Sequence, residues 1–461
     1  MTGTAIDPFA PLHQVAGLLE RRALSPVELT GAILARIETL DPALNAYQVV
    51  LADQAREQAR TAERELAAGR YRGPLHGVPF AVKDLLATAG LPTTAGSKVL
   101  AGWVPDEDAT AVRLLREAGA VIVGKTRMSE FAYSPASNNA HYGPTHNPWR
   151  RGRDTGGSSS GSGAAVAAGL AYAATGSDTG GSIRMPGALC GLVGLKPTYG
   201  LVSLAGAVTL SWSLDHLGPM TRTVRDAAIV LTVLAGHDPR DGRTRRAPRR
   251  DYTAGLEGGV RGLRVGAVRE DGFAAGPPEP EALAAWEDGL RALRDAGAEI
   301  VDLDLPDLEQ LRVCGAAILN LEAATYHERT LRERPDDLGP FPRDRLMVAF
   351  AYGPTAFVQA QQARAMLRAR FDRLWERVDL LSTPAMPHAA PPLGEPSTNT
   401  RYTLPFNPLG WPAIVVPLTL SADGLPLGAQ LVGRPWDDAG VLRAARAIER
   451  EGPWQGRRPP D

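Results

Sequence analysis

The sequence predicts an α/β protein organised around a mixed or mostly parallel β-sheet covered by helices on both faces, and three stretches carry that reading. LLREAGAVIVGKT (114–126) and ALRDAGAEIVDLD (292–304) each pass from helical spacing through an Ala-Gly-Ala turn into an apolar strand. Repeated helix-to-strand alternation needs crossover connections, which bury a sheet between helical layers. Near the C-terminus, PAIVVPLTL (412–420) and GAQLVG (428–433) flank a Ser-Ala-Asp-Gly turn and read as two more strands. With 461 residues, 44% of them hydrophobic, the chain can bury a core of that size.

In chain order, residues 12–39 show the apolar spacing of two helices parted at Ser25-Pro26, a capping serine followed by proline at the first helical position. A charged helix follows near 51–68. In PLHGVPFAVKDLL the run Val78 to Val82 is short and apolar, and reads as a buried strand ending at Lys83. The longest charge-free stretch, Thr155 to Ser177, has the length of a bilayer span, but it opens TGGSSSGSG and continues in Ala and Gly, so it reads as buried loop and helix. Residues 238–250 hold six arginines and almost nothing to bury, the pattern of a solvated surface loop; no aromatic residues are interleaved there to stack bases.

Charge and cysteine content narrow the function classes. Lys plus Arg number 50 against 51 Asp plus Glu, so a broad electrostatic grip on nucleic acid or anionic lipid is not expected. The expected partner is a small molecule, with no nucleic acid and no membrane, and a homodimer remains open. Cys190 and Cys314 lie 124 positions apart, too few and too distant for a disulfide framework or an all-cysteine metal site. The N-terminal MTGTAIDPFAPLHQ has no secretory pattern, and a reduced, cytoplasmic setting is expected.

The eight histidines form no HxxxH or HxxH pair, so no zinc-protease motif is present, and neither metal nor cofactor is expected. His216, after Asp215 in SLDHLGP, reads as a structural residue near a pocket. GAVIVGKT (119–126) matches the phosphate-loop pattern GxxxxGK[ST], but Ala120 to Val123 are the strand itself and not a loop with free N–H groups, so Lys125 is not expected to hold a nucleotide. The densest chemical signal is Gly156 to Gly163 (GGSSSGSG) followed by Gly176 to Arg184 (GSDTGGSIR). Glycine runs let the backbone approach a ligand and aim successive N–H groups at a developing oxyanion. Both runs lead into apolar sequence, which argues against a flexible linker. A hydroxyl nucleophile needs a base, and neither segment holds a histidine. Lys83, closing a buried strand, fits, because an apolar setting favours the neutral amine.

These residues resemble the amidase signature family, through VPFAVKDL at 78–85, GGSSSGS at 156–162, GSDTGGSIRMPGALCGLVGLKPTYG at 176–200 and SLDHLGPMTRTVRDAA at 213–228. The likeness extends to the N-terminal helices and to WPAIVVPLTLSADGLPLGAQLVG. The resemblance implies one α/β domain over 1–461 built around a large, twisted, mixed β-sheet covered by helices on both faces, with N-terminal helices at about 8–70, a core at about 71–230, the surface loop at about 238–250 and the rest of the sheet with its helices at about 260–450. It implies a Ser–Ser–Lys triad: Ser182 attacking an amide carbonyl to form an acyl-enzyme, Ser158 (after a cis peptide bond) relaying the proton, and Lys83 as base. It further implies an oxyanion hole from the backbone N–H groups of Thr179, Gly180, Gly181 and Ser182. Ser159, Asp178 and Arg184 would fix the loops. Ser160 stands where the family more often has glycine, with little effect expected, and Cys190 reads as a packing residue.

The resemblance implies amide hydrolysis to an acid plus ammonia or an amine. Its alternative is the A subunit of the tRNA-dependent amidotransferase, which frees ammonia from glutamine with partner subunits. On that alternative Arg364 would hold the glutamine carboxylate, whereas Thr400 stands where an acid for its ammonium is expected. Met128, Phe131, Tyr133, Tyr402, Phe406 and Trp411 are the remaining pocket candidates, and their apolar character favours an aryl or alkyl amide.

Overall fold

The computed structural model describes residues 6–246, 249–273, 276–395, 400–454 and 456–460. Eleven strands form one sheet among them: β1 (Tyr47–Val50), β2 (Pro79–Lys83), β3 (Val121–Thr126), β4 (Ala173–Asp178), β5 (Val193–Lys196), β6 (His216–Thr221), β7 (Arg264–Glu270), β8 (Glu299–Asp304), β9 (Leu380–Pro384), β10 (Ala413–Leu420) and β11 (Pro426–Gly433). The spatial order is β1-β3-β2-β4-β6-β5-β10-β11-β9-β7-β8. The sheet is mixed: β2 runs parallel to β3 and β4, and β7 to β8 and β9, while β4–β6 and β10–β11 are antiparallel.

Helices 280–295 and 438–451 pack on β10 and β11, and helix 224–234 on β5 and β6. With both faces covered, every residue of β2, β3 and β4 is buried, including the polar ones near their C-terminal ends, Lys83, Lys125, Thr126, Ser177 and Asp178. The expected N-terminal pair is present as helices 12–20 and 26–44, and the Ser25 hydroxyl accepts the N–H groups of Val27 and Glu28. The charge-free stretch becomes the buried helix 160–167 followed by β4, and no helix among the described residues is long and apolar enough to cross a membrane.

This topology places the chemistry. β2 and β4 are parallel neighbours, so their C-terminal ends, at Lys83 and Asp178, open on the same edge of the sheet. Helices 340–350 and 354–371 each pack on helix 308–333, and helices 308–333 and 340–350 contribute residues to a cavity over that edge.

Candidate active site

Lys83 is fully buried, and its Nζ lies 2.8 Å from the Oγ atoms of Ser158, Ser159 and Ser177. Its backbone N–H donates to Thr175 Oγ1 on β4, locking the two strand ends together. No carboxylate lies within ion-pair distance of Nζ among the described residues. Burial therefore dominates and lowers the amine to about 7, against the weaker opposing pull of Asp178 and Asp215. A neutral amine has two N–H bonds and one lone pair for its three hydroxyl neighbours. Ser159 directs its own hydroxyl at the Ser177 carbonyl, 3.3 Å away, so its oxygen is an acceptor for the lysine. Ser177 was not among the candidate residues; its place next to last in β4, where the glycine-rich segment 176–184 begins, was the available signal.

The peptide bond between Gly157 and Ser158 is cis, in agreement with the expectation. Asp178 and Arg184, both fully buried, form a two-pronged ion pair, with Nε to Oδ2 and Nη2 to Oδ1 both at 2.9 Å. Arg184 also donates to the carbonyl of Thr403 and to the side-chain oxygens of Asn407 and Gln430. This guanidinium and Asn407 hold the Asp178 carboxyl well below the usual carboxylate range, although burial pushes the other way. The pair thus ties the turn 179–182 to the segment 400–407. Gly181 sits at φ 130°, and a Cβ there would lie 2.2 Å from Thr403 Oγ1, so only glycine fits this turn.

A cavity of about 460 Å³ opens above this turn. Thr179, Gly180 and Ser182 line it, with Tyr133, Leu319, Phe341 and Leu404 supplying apolar walls. Of the four residues expected to supply oxyanion donors, Gly181 has its N–H bonded to Asp178 Oδ1 at 2.8 Å, while Thr179, Gly180 and Ser182 line the cavity.

The expected substrate pocket needs correction. Tyr133 alone of its seven residues lines the cavity. Met128, Phe131, Tyr402, Phe406 and Trp411 are core residues: Phe131 packs on His327 at 4.2 Å between ring centroids, Trp411 on Trp375 at 4.6 Å. Arg364 bonds the carbonyls of Pro408 and Ser213 and the Ser213 hydroxyl, and so clamps two loops. The cavity is also more charged than expected, since Arg312, Arg345 and Glu395 line it together with Thr400. Arg312 is satisfied by Glu309. Arg345 has neutral partners, Asn320 Oδ1 at 2.9 Å and the Tyr133 carbonyl at 3.4 Å, and its guanidinium stacks 4.3 Å from the Tyr133 ring. The signal for Arg345 was its place among Pro342, Leu346 and Ala349, the buried residues of its helix.

The remaining sequence candidates fall into structural roles. Lys125 pairs with Asp84 at 2.9 Å and donates to Thr93 and to the Pro92 carbonyl, which leaves it no part in nucleotide binding. His216 is buried against the carbonyls of Asp178 and Leu214 and against Lys196 Nζ. Cys190 is a buried free thiol whose pKa is pushed up by burial. Residues 247 and 248 of the arginine-rich loop lie outside the described residues. No cluster of three potential metal ligands occurs among the described residues.

A buried, charge-poor lysine with hydroxyl neighbours beneath a glycine-rich turn is suited to serve a hydroxyl nucleophile as base. A family model described as Amidase matches residues 28–442, and the chain belongs to the amidase signature family, whose members hydrolyse C–N bonds. Among similar proteins, the A subunit of the glutamyl-tRNA(Gln) amidotransferase from Chloroflexus aggregans is 42% identical over 95% of both chains. The solved structure of the corresponding A subunit from Thermotoga maritima has a TM-score of 0.83 at 33% identity, covering 97% of this chain and 96% of its own. A chain from a structure described as a vestigial protein complex that reveals the evolutionary origins of an s-triazine catabolic enzyme has a TM-score of 0.91 at 33% identity, covering 96% and 99%.

These relatives correct the expected partners. A small-molecule amide with no nucleic acid and at most a second copy of the same chain is contradicted by similarity to subunits of an amidotransferase named for its tRNA. Net charge was a poor guide because it speaks for one chain alone, whereas these relatives are named as subunits.

Proposed function

We propose that this chain is the ammonia-releasing A subunit of a tRNA-dependent amidotransferase, hydrolysing the side-chain amide of glutamine. Ser182 attacks the amide carbonyl as Ser158 takes its proton and passes its own to neutral Lys83. The oxyanion is met by backbone N–H groups of the 179–182 turn. The collapsing intermediate takes a proton back along the same path and releases ammonia, and water repeats the cycle to free glutamate. Loss of one oxyanion donor typically costs about 2.7–4 kcal/mol of transition-state stabilisation.

The observation that carries the choice of amide is Arg345. A half-buried guanidinium whose protein partners among the described residues are neutral supplies a site for a carboxylate, and it lies on the same cavity as Ser182. Glu395, exposed at the rim, supplies the opposite charge for an ammonium. A zwitterionic amide fits this arrangement better than an aryl or alkyl amide.

A second reading, a stand-alone amide hydrolase, is favoured by Thr400, which faces the cavity with a hydroxyl and no charge. Ammonia release from glutamine and from a panel of neutral amides, measured for the purified chain with and without the other subunits, separates the two. The proposal expects glutamine to be the best substrate, with Arg345→Met raising its KM by about 10–100-fold and sparing kcat. Faster turnover of neutral amides than of glutamine, with glutamine KM unmoved by Arg345→Met, would favour the second reading.

A further inference from the structure

We propose that Asp215 is a positioning residue for this reaction: its carboxylate grips the Thr179 hydroxyl and thereby fixes the backbone turn that receives the oxyanion. The inference rests on the assignment of Ser182 as nucleophile. The fold itself brings the two residues together, because the antiparallel register of β4 and β6 pairs Asp178 with His216 and so sets the next residue of one strand opposite the preceding residue of the other. Asp215 Oδ1 accepts the Thr179 hydroxyl at 2.6 Å, the shortest of its hydrogen bonds and the one that comes from a side chain. Its other donors are the backbone N–H groups of Leu210, at 3.0 Å, and Ser211, at 3.1 Å from both oxygens.

Two features argue that this contact does more than shape the 210–215 loop. That loop is already braced without Asp215: Glu322 Oε2 accepts the Ser211 hydroxyl at 2.5 Å and the Ser213 N–H at 3.0 Å, and Arg364 holds Ser213 from the other side. Asp215 is also buried with no cation in ion-pair distance among the described residues, a costly placement for a carboxylate, and burial raises it to about 6. What the charge adds is a strong acceptor for Thr179. Thr179 in turn lines the cavity beside Gly180 and Ser182, so a hydroxyl held from below sets where its backbone stands relative to the reacting carbonyl.

The test compares Asp215→Asn, Thr179→Val, Thr179→Ser and the double variant Asp215→Asn/Thr179→Val, using glutamine or the fastest amide of the panel as substrate and a simple alkylboronic acid as tetrahedral probe. Thr179→Val is expected to lower kcat by about 10–100-fold with KM within about threefold, and boronate affinity by a similar factor, since a misplaced donor loses part of what a deleted one does. Thr179→Ser, which keeps the hydroxyl, should recover most of that loss. The double variant should be no worse than the more impaired single one, because both changes break the same contact. Wild-type kcat in Thr179→Val, or multiplying losses in the double variant, overturns the proposal. Should Asp215→Asn fail to fold, the Val and Ser variants at position 179 decide alone. Full activity of Ser182→Ala would instead defeat the nucleophile assignment.

Discussion

Lys83 and Lys125 stand on neighbouring parallel strands, one register position apart, and both are buried. Burial lowers both amines, yet their surroundings differ in kind. Lys125 meets a carboxylate, Asp84, and that ion pair favours its charged form. Lys83 meets three hydroxyls and, among the described residues, no carboxylate within ion-pair distance to compensate a positive charge. The partner, and not the depth of burial, separates a structural lysine from a base.

The sharpest way to break this comparison is to remove each amine in turn. Lys83→Met should leave a folded protein with kcat down by on the order of 10⁴-fold, since the proton from Ser182 has nowhere to go. Lys125→Met should keep the activity of the molecules that fold but cost about 3–5 kcal/mol in denaturant unfolding, the penalty of a stranded Asp84 carboxylate. Equal loss of kcat in both variants would show that the distinction is false.

A smaller effect comes from giving Lys83 the kind of neighbour Lys125 has. Ser177→Asp places a carboxylate beside Nζ, favours the ammonium and should shift the acid limb of kcat/KM upward by at least about one pH unit. The sign follows from the base role: activity needs the neutral amine, so a raised pKa removes active enzyme at neutral pH. An unmoved limb would mean that Lys83 is not the group titrating. Smallest of all, Phe406→Leu should lose about 1 kcal/mol of stability or slightly more and leave KM unchanged, as befits a core residue outside the cavity. A severalfold change in KM would return it to the substrate pocket.

The same contrast marks how far the sequence could be read. Lys83 stood out as an amine closing a buried strand, and the glycine-rich segments that hold Ser158, Asp178, Ser182 and Arg184 were distinctive locally, while the roles given to those four residues came from the family resemblance; helix and strand alternation pointed to a mixed or mostly parallel sheet. Even the phosphate-loop lookalike was resolved locally, since GAVIVG had to be strand. What failed were residues whose role depends on contacts distant in sequence. Phe406 and Trp411 looked like pocket because apolar residues of core and cavity are indistinguishable in sequence. Arg364 and Arg345 lie in successive helices, 354–371 and 340–350, and only the packing of those helices shows that the first clamps Ser213 and Pro408 while the second faces the substrate cavity.

The claim on which the rest depends is that Lys83 is a neutral base near physiological pH, and it is tested most directly by the pH dependence of Ser182 labelling with a fluorophosphonate. The account expects the labelling rate to rise with pH through an apparent pKa of about 7, and this limb to vanish in Lys83→Met. A limb near the ordinary lysine value of about 10.4, or one that survives intact in Lys83→Met, would contradict it.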